Sequence, residues 1–177
     1  MQMDWEAVLK RWHNSALDDL TKTGTTPWML HIYPEHSDAA ILWVEPQGLS
    51  DEGRMRLRMM NAGFRITNPA AVLLSSDAWV PSDKFYERYG IAGSFEGFQK
   101  RYLEILNKRY KGSLEFVPRD LKIEAITTVI KGPRFLQMGM ITKYHRENKK
   151  VVIDKTMGPS PNYMLNLVKD WWESVLQ

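Results

Sequence analysis

The stretch that decides the fold is Leu121–Thr156, LKIEAITTVIKGPRFLQMGMITKYHRENKKVVIDKT. It divides into three runs rich in β-branched and aromatic residues, Leu121 to Lys131, Arg134 to Tyr144 and Lys149 to Thr156. Such residues suit a pleated, half-buried surface. Gly132-Pro133 punctuates the first two runs, and Glu147-Asn148 the second and third, where Asn tolerates left-handed backbone. Short turns between strands produce antiparallel neighbours, so the spacing predicts a C-terminal meander.

Outward from it, Ala70 to Ser75 (Ala-Ala-Val-Leu-Leu-Ser) is a continuous apolar run and predicts a central strand buried on both faces. Ser76, Asp77, Ala78 and Trp79 follow, and Pro81 is expected to end the element. Trp28 to Tyr33, between Pro27 and Pro34, and Ala39 to Val44 are two further strand candidates. Four segments read as long helices. Asp4 to Lys22 carries an apolar stripe of Trp5, Val8, Leu9, Trp12, Ala16, Leu17 and Leu20, with Asp4 as N-cap and Gly24 as stop. Ser50 to Asn61 or Ala62 ends at Gly63, and Ser94 to Tyr110 ends at Gly112. A last helix is capped by Ser160, starts at Pro161 and carries Leu165, Val168, Trp172 and Leu176. Ser82 to Gly93 is the most loop-like stretch, with Ser82 as the cap of a short helical turn through Phe85, Tyr86 and Tyr89, and Met157 to Pro161 reads as a loop.

This order predicts an α+β fold with a mixed, mainly antiparallel sheet of about five or six strands, a C-terminal meander and four packed helices. A length of 177 residues, with no repeat, low-complexity tract or linker, predicts one domain over residues 1–177. The chain has no cysteine, which excludes disulfides, thiolate metal sites and cysteine nucleophiles. Met1-Gln2-Met3-Asp4-Trp5-Glu6 has neither the basic nor the apolar region of a signal peptide, and no apolar run is long enough to span a bilayer. A cytoplasmic protein without membrane contact is expected.

The net charge of +3 is unevenly spread. Residues 1–99 hold 9 basic and 13 acidic groups, and residues 100–177 hold 15 and 8, so the C-terminal half is basic and permits an anionic partner. Lys143, Arg146, Lys149 and Lys150 gather around the expected hairpin turn beside Tyr144 and His145, as a nucleic-acid-binding ribbon would require. Lysines at a hairpin tip also keep an edge soluble, and that ordinary account is the preferred one.

Other constellations carry less. His31, Glu35, His36 and Asp38 are suitable metal donors, but Pro34 breaks any helix that would align them, and on an extended segment His31 and His36 point oppositely. No metal or cofactor is expected. Ser75 and Ser76 follow the buried strand without the glycines of a nucleophile elbow. The run Gly90 to Gly97 has no phosphate-binding lysine. Asp77, Asp120 and Glu124, with Lys122 between the last two, form the acid and lysine set that a metal-dependent hydrolase or nuclease would use. A solvated strand face explains the same residues.

Ala-Ala-Val-Leu-Leu-Ser-Ser-Asp-Ala-Trp, residues 70–79, resembles an element of small proteins frequent in bacteriophages, plasmids and bacterial genomes, in which an apolar strand ends in Ser-Glu-Ala-Trp. Those proteins later carry a strand with Arg-x-Glu-Ala, then a hairpin. Lys122-Ile123-Glu124-Ala125 stands in that place here. The resemblance runs from about Ala70 to Thr156 and departs at Asp77, where Glu is usual, and at Lys122, where Arg is usual. The family brings no activity. The resemblance implies that Asp77, Trp79, Lys122 and Glu124 lie together on adjacent strands, as a structural ion pair first and a functional site second. The expected function is a non-enzymatic accessory or interaction protein of phage or mobile-element type, with a protein partner or a homo-oligomer. Nucleic-acid binding and metal-dependent hydrolysis are the alternatives.

Overall fold

A computed structural model describes residues 3–34, 41–44, 69–91, 95–132 and 135–161. The chain is α+β. Its strands are β1 (Met29–Pro34), β2 (Ile41–Val44), β3 (Pro69–Pro81), β4 (Lys122–Gly132), β5 (Phe135–Glu147) and β6 (Lys150–Ser160), arranged in one sheet in the order β2-β1-β3-β4-β5-β6. Every neighbouring pair is antiparallel, so the expected mixed sheet is corrected to a purely antiparallel one among the described strands. Three helices are described: α1 (Trp5–Thr23), α2 (Asp83–Tyr89) and α3 (Phe95–Arg109). The expected helix over 50–62, and residues 162–177 of the expected last helix, lie outside the described residues.

Pro133 of the expected first turn lies outside the described residues, and the meander β4-β5-β6 forms with its second turn one residue later than Glu147-Asn148. Asn148 and Lys149 are its central residues, with φ of 49° and 67°. Two consecutive left-handed residues make the two-residue turn whose twist matches antiparallel strands.

Two strands outrun their apolar signal. β3 continues through Ser76, Asp77, Ala78 and Trp79 to Pro81, because the backbone of Lys122 to Thr127 pairs with it along its length. Residues 71–75 are all buried, as a central strand requires, and only the second half is half-exposed. β6 takes in Met157 to Ser160, expected as a loop, by pairing with β5 through register shifts.

α1 lies across one face of the sheet. Asp4 caps it by accepting from the amides of Glu6 and Ala7, both at 3.1 Å. Gly24 ends it at φ 79°, donating its amide to the Leu20 carbonyl at 2.8 Å. Val8 and Leu9 pack against Tyr33, Leu73, Ile130 and Met140. Ala16 and Leu20 pack against Met29, Ile126 and Tyr144. Full burial of each large side chain stabilises by about 1.5–3 kcal/mol.

A second apolar cluster closes the far end of β3 and β4. Phe85 of α2, Leu106 of α3, and Val117 and Leu121 around two 3-10 turns (Leu114–Phe116 and Arg119–Leu121) are buried together within a rim of tyrosines. This packing explains why Ser82 to Tyr89, expected as mostly loop, holds a seven-residue helix too short to persist alone.

Candidate functional site

The candidate site lies where β3, β4 and β5 run out beyond the C-terminal end of α1. The register sets Asp77 opposite Ile126, Trp79 opposite Glu124, Pro81 opposite Lys122, and Glu124 opposite Tyr144. Side chains directly opposite or diagonal on one face touch, which brings Asp77, Glu124, Tyr144 and Arg146 together.

The Tyr144 hydroxyl donates to Asp77 Oδ1 at 2.9 Å. Arg146 Nε lies 3.4 Å from Glu124 Oε2, and its guanidinium sits over the Tyr144 ring at 5.5 Å. Burial, then the Asp77 hydrogen bond, holds Tyr144 far above the usual phenol range, so it remains a proton donor. Asp77 is exposed as a residue, yet protein packed beneath its carboxyl pushes the pKa up; the Tyr144 hydrogen bond opposes this and nearby Glu124 adds to it. The guanidinium also reaches the end of α1, with Arg146 Nη1 3.8 Å from the position a Cβ would take on Gly24.

Among the described residues Lys122 stays beside Trp79 and pairs with neither Glu124 nor Asp77. Its ammonium donates to the carbonyls of Leu114 (3.1 Å) and Glu115 (2.9 Å) and lies 4.9 Å from the Trp79 ring centre. The lysine therefore pins a 3-10 turn to the sheet, and Arg146, not Lys122, is the cation facing Glu124. Sequence reading placed Arg146 only in a basic hairpin. The signal available was its parity: Tyr144 and Arg146 are two apart on one strand and share a face.

The expected nucleic-acid residues are dispersed in role. Lys143 Nζ pairs with Asp83 at 3.1 Å, and Arg146 is engaged with Glu124. His145 faces Asp154 at 2.6 Å and Glu147 at 3.0 Å. Lys149 and Lys150 stand exposed at the turn.

For the hydrolase alternative, Asp120 sits exposed in a 3-10 turn and not on β4. Among the described residues no group of three or more His, Asp and Glu side chains is placed to hold a metal ion. His31 is fully buried, with its ring packed against Trp12 at 3.9 Å between centres and tilted by 34°. Neither ring nitrogen has a hydrogen-bond partner among the described residues. Glu35, His36 and Asp38, its sequence neighbours in the metal set, lie outside the described residues.

The structure adds one feature that the stripe on α1 did not include. His13 is fully buried, hydrogen-bonded through Nδ1 to Thr128 Oγ1 (2.8 Å) and through Nε2 to Thr142 Oγ1 (2.7 Å). Thr128 continues to Ser75 Oγ at 2.9 Å, and Thr142 to Thr156 Oγ1 at 2.8 Å. Ser75 is thus spent inside the core, buried and bonded, and is not presented as a nucleophile. Burial lowers His13 to a pKa of about 4, so the ring is neutral at pH 7, one nitrogen donating and the other accepting. Its signal was its phase: His13 falls between Leu9 and Ala16 at helical spacing.

Among the described residues no helix is long and apolar enough to cross a membrane. No protein-family model matches the chain, and no curated protein matches it.

Proposed function

We propose that the chain is a non-enzymatic interaction protein of the accessory type, and that it meets its protein partner through the end of the sheet around Trp79 and Phe116. The observation that carries this reading is the exposure of two large aromatics in one neighbourhood. Trp79 is 38% exposed and Phe116 is 52% exposed. Lys122 spans them: its ammonium lies over Trp79 and binds the carbonyls of Leu114 and Glu115, directly before Phe116. Lys111 lies over the Phe116 ring at 5.1 Å. Aromatic anchors with a charged surround are typical of the residues that carry protein–protein binding energy. The adjoining Asp77, Glu124, Tyr144 and Arg146 bond to one another, which supports a structural role for them.

The experiment compares wild type with a Trp79→Ser, Phe116→Ser double variant. Sedimentation velocity over a wide concentration range reads self-association, and affinity capture from the source cells reads other partners. Self-association, or a captured protein, that disappears in a folded double variant supports the reading. A wild type that is monomeric throughout and retains nothing beyond the double variant refutes it.

A further inference from the structure

At the β5–β6 hairpin one imidazole stands between two carboxylates. His145 Nδ1 is 2.6 Å from Asp154 Oδ1, and Nε2 is 3.0 Å from Glu147 Oε1. Carboxylates accept and do not donate, while a neutral imidazole has one N–H and one lone pair. The neutral ring therefore satisfies one of these contacts and sets a lone pair against a carboxylate in the other. Only the imidazolium donates to both.

The backbone is built to make this contact. Lys143 pairs with Lys155 and Tyr144 with Ile153, which leaves Asp154 as the extra residue of a bulge on β6. Bulges re-aim a side chain and increase the local twist. Asp154 is two residues on from Val152, the cross-strand partner of His145, so it lies diagonal to His145 on the same face, at the bulge in the last strand of the described sheet. A bulge is also one of the devices that twist an edge strand away from pairing with another chain.

The other charged groups around the ring are accounted for. Lys143, two residues before His145, is bonded to Asp83 of α2, and Lys155 is the cross-strand partner of Lys143. Lys150 is the cross-strand partner of Glu147, and Val152 that of His145. Arg146 faces Glu124. Glu147 first, and then Asp154, raise the pKa of His145 above its ordinary value.

We propose that His145 is a proton-operated latch on the hairpin: as imidazolium it bridges Glu147 and Asp154 and holds the β6 bulge, and as imidazole it releases one carboxylate and the bulge loosens. The latch sets how firmly the β6 bulge is held as pH passes through the titration of His145. It is independent of the Trp79 surface.

The test uses the whole chain, with side-chain NMR titration of His145 and backbone amide exchange over residues 151–156, corrected for the intrinsic pH dependence. In wild type His145 titrates above about 6.5, and protection over 151–156 falls about two- to fivefold as the ring deprotonates, the size expected of exposed ion pairs. In Asp154→Asn the His145 titration moves down toward the ordinary value. In His145→Gln the protection is independent of pH over the same range. A wild-type titration at or below the ordinary histidine value overturns the proposal, as does protection in His145→Gln that falls with pH as in wild type.

Discussion

Acidification from pH 7 to 5 tests the core directly, because it acts on two imidazoles that the fold keeps neutral. Burial lowers both His13 and His31 to a pKa of about 4; for His31 the Arg11 charge adds to burial. In the unfolded chain each returns to about 6.5. The folded pKa is the lower one, so between these values the unfolded chain binds protons that the folded chain does not. Stability is then present above about pH 6.5 and falls as pH drops through the window. Each histidine has a displacement worth roughly 3 kcal/mol when fully expressed. At pH 5 the two together give a slope of about 2 kcal/mol per pH unit. Asp77, with its raised pKa, acts in the opposite sense, since its protonated form is favoured in the folded state. Urea unfolding followed by circular dichroism at intervals from pH 7 to 5 measures the slope. His31→Phe, which keeps a ring against Trp12 and loses the titrating nitrogens, should halve it. A flat profile between pH 6.5 and 5, or an undiminished slope in a folded His31→Phe protein, would refute the reasoning.

Three further outcomes are expected. His13→Ala removes a fully buried ring and both of its threonine contacts, and should cost about 2–4 kcal/mol in urea unfolding; a loss under about 1 kcal/mol contradicts the packing described. Tyr144→Phe deletes only the hydroxyl that Asp77 accepts and should cost about 1 kcal/mol. In a double-mutant cycle with Asp77→Ala, which removes the acceptor, the two effects should fail to add, and full additivity would mean the bond contributes nothing. Lys149→Gly relieves a side chain at φ 67° in the second central position of the hairpin turn, and should raise the unfolding midpoint, by about 0.5–1 kcal/mol in stability; a destabilised variant would contradict the turn geometry.

Most of the architecture was readable because it rests on local signals. Alternating β-branched residues marked β4, β5 and β6, the apolar run marked the buried half of β3, and Asp4 and Gly24 marked the ends of α1. What escaped depends on neighbours. Ser76 to Pro81 has no apolar pattern and is extended because β4 pairs with it. α2 was legible only as a short helical turn after Ser82, its surroundings being rich in glycine, and it runs to seven residues because Phe85 is buried against Leu106, Val117 and Leu121. Strand direction is not a local property, so the antiparallel order of β1, β3 and β4 could not be read from them singly. At the site, the resemblance implied that Asp77, Trp79, Lys122 and Glu124 lie together on adjacent strands; Trp79 stands opposite Glu124 with Lys122 over its ring, while the cation against Glu124 is Arg146. A long side chain such as Lys122 chooses between several acceptors in reach, and two backbone carbonyls outweighed the neighbouring carboxylate.

The row of hydrogen bonds from Ser75 through His13 to Thr156 has a consequence for how the first helix seats. A helix resting on a uniformly oily sheet can slide by a turn, about 5.4 Å, and find nearly equivalent contacts. Here such a slip would lift the imidazole off its two hydroxyls and press an alanine or leucine onto them, leaving polar atoms dry and unmatched. The row works as a keyway: it admits the helix at one depth and one rotation, and it makes near-miss arrangements of the same oily surfaces distinguishable from the correct one.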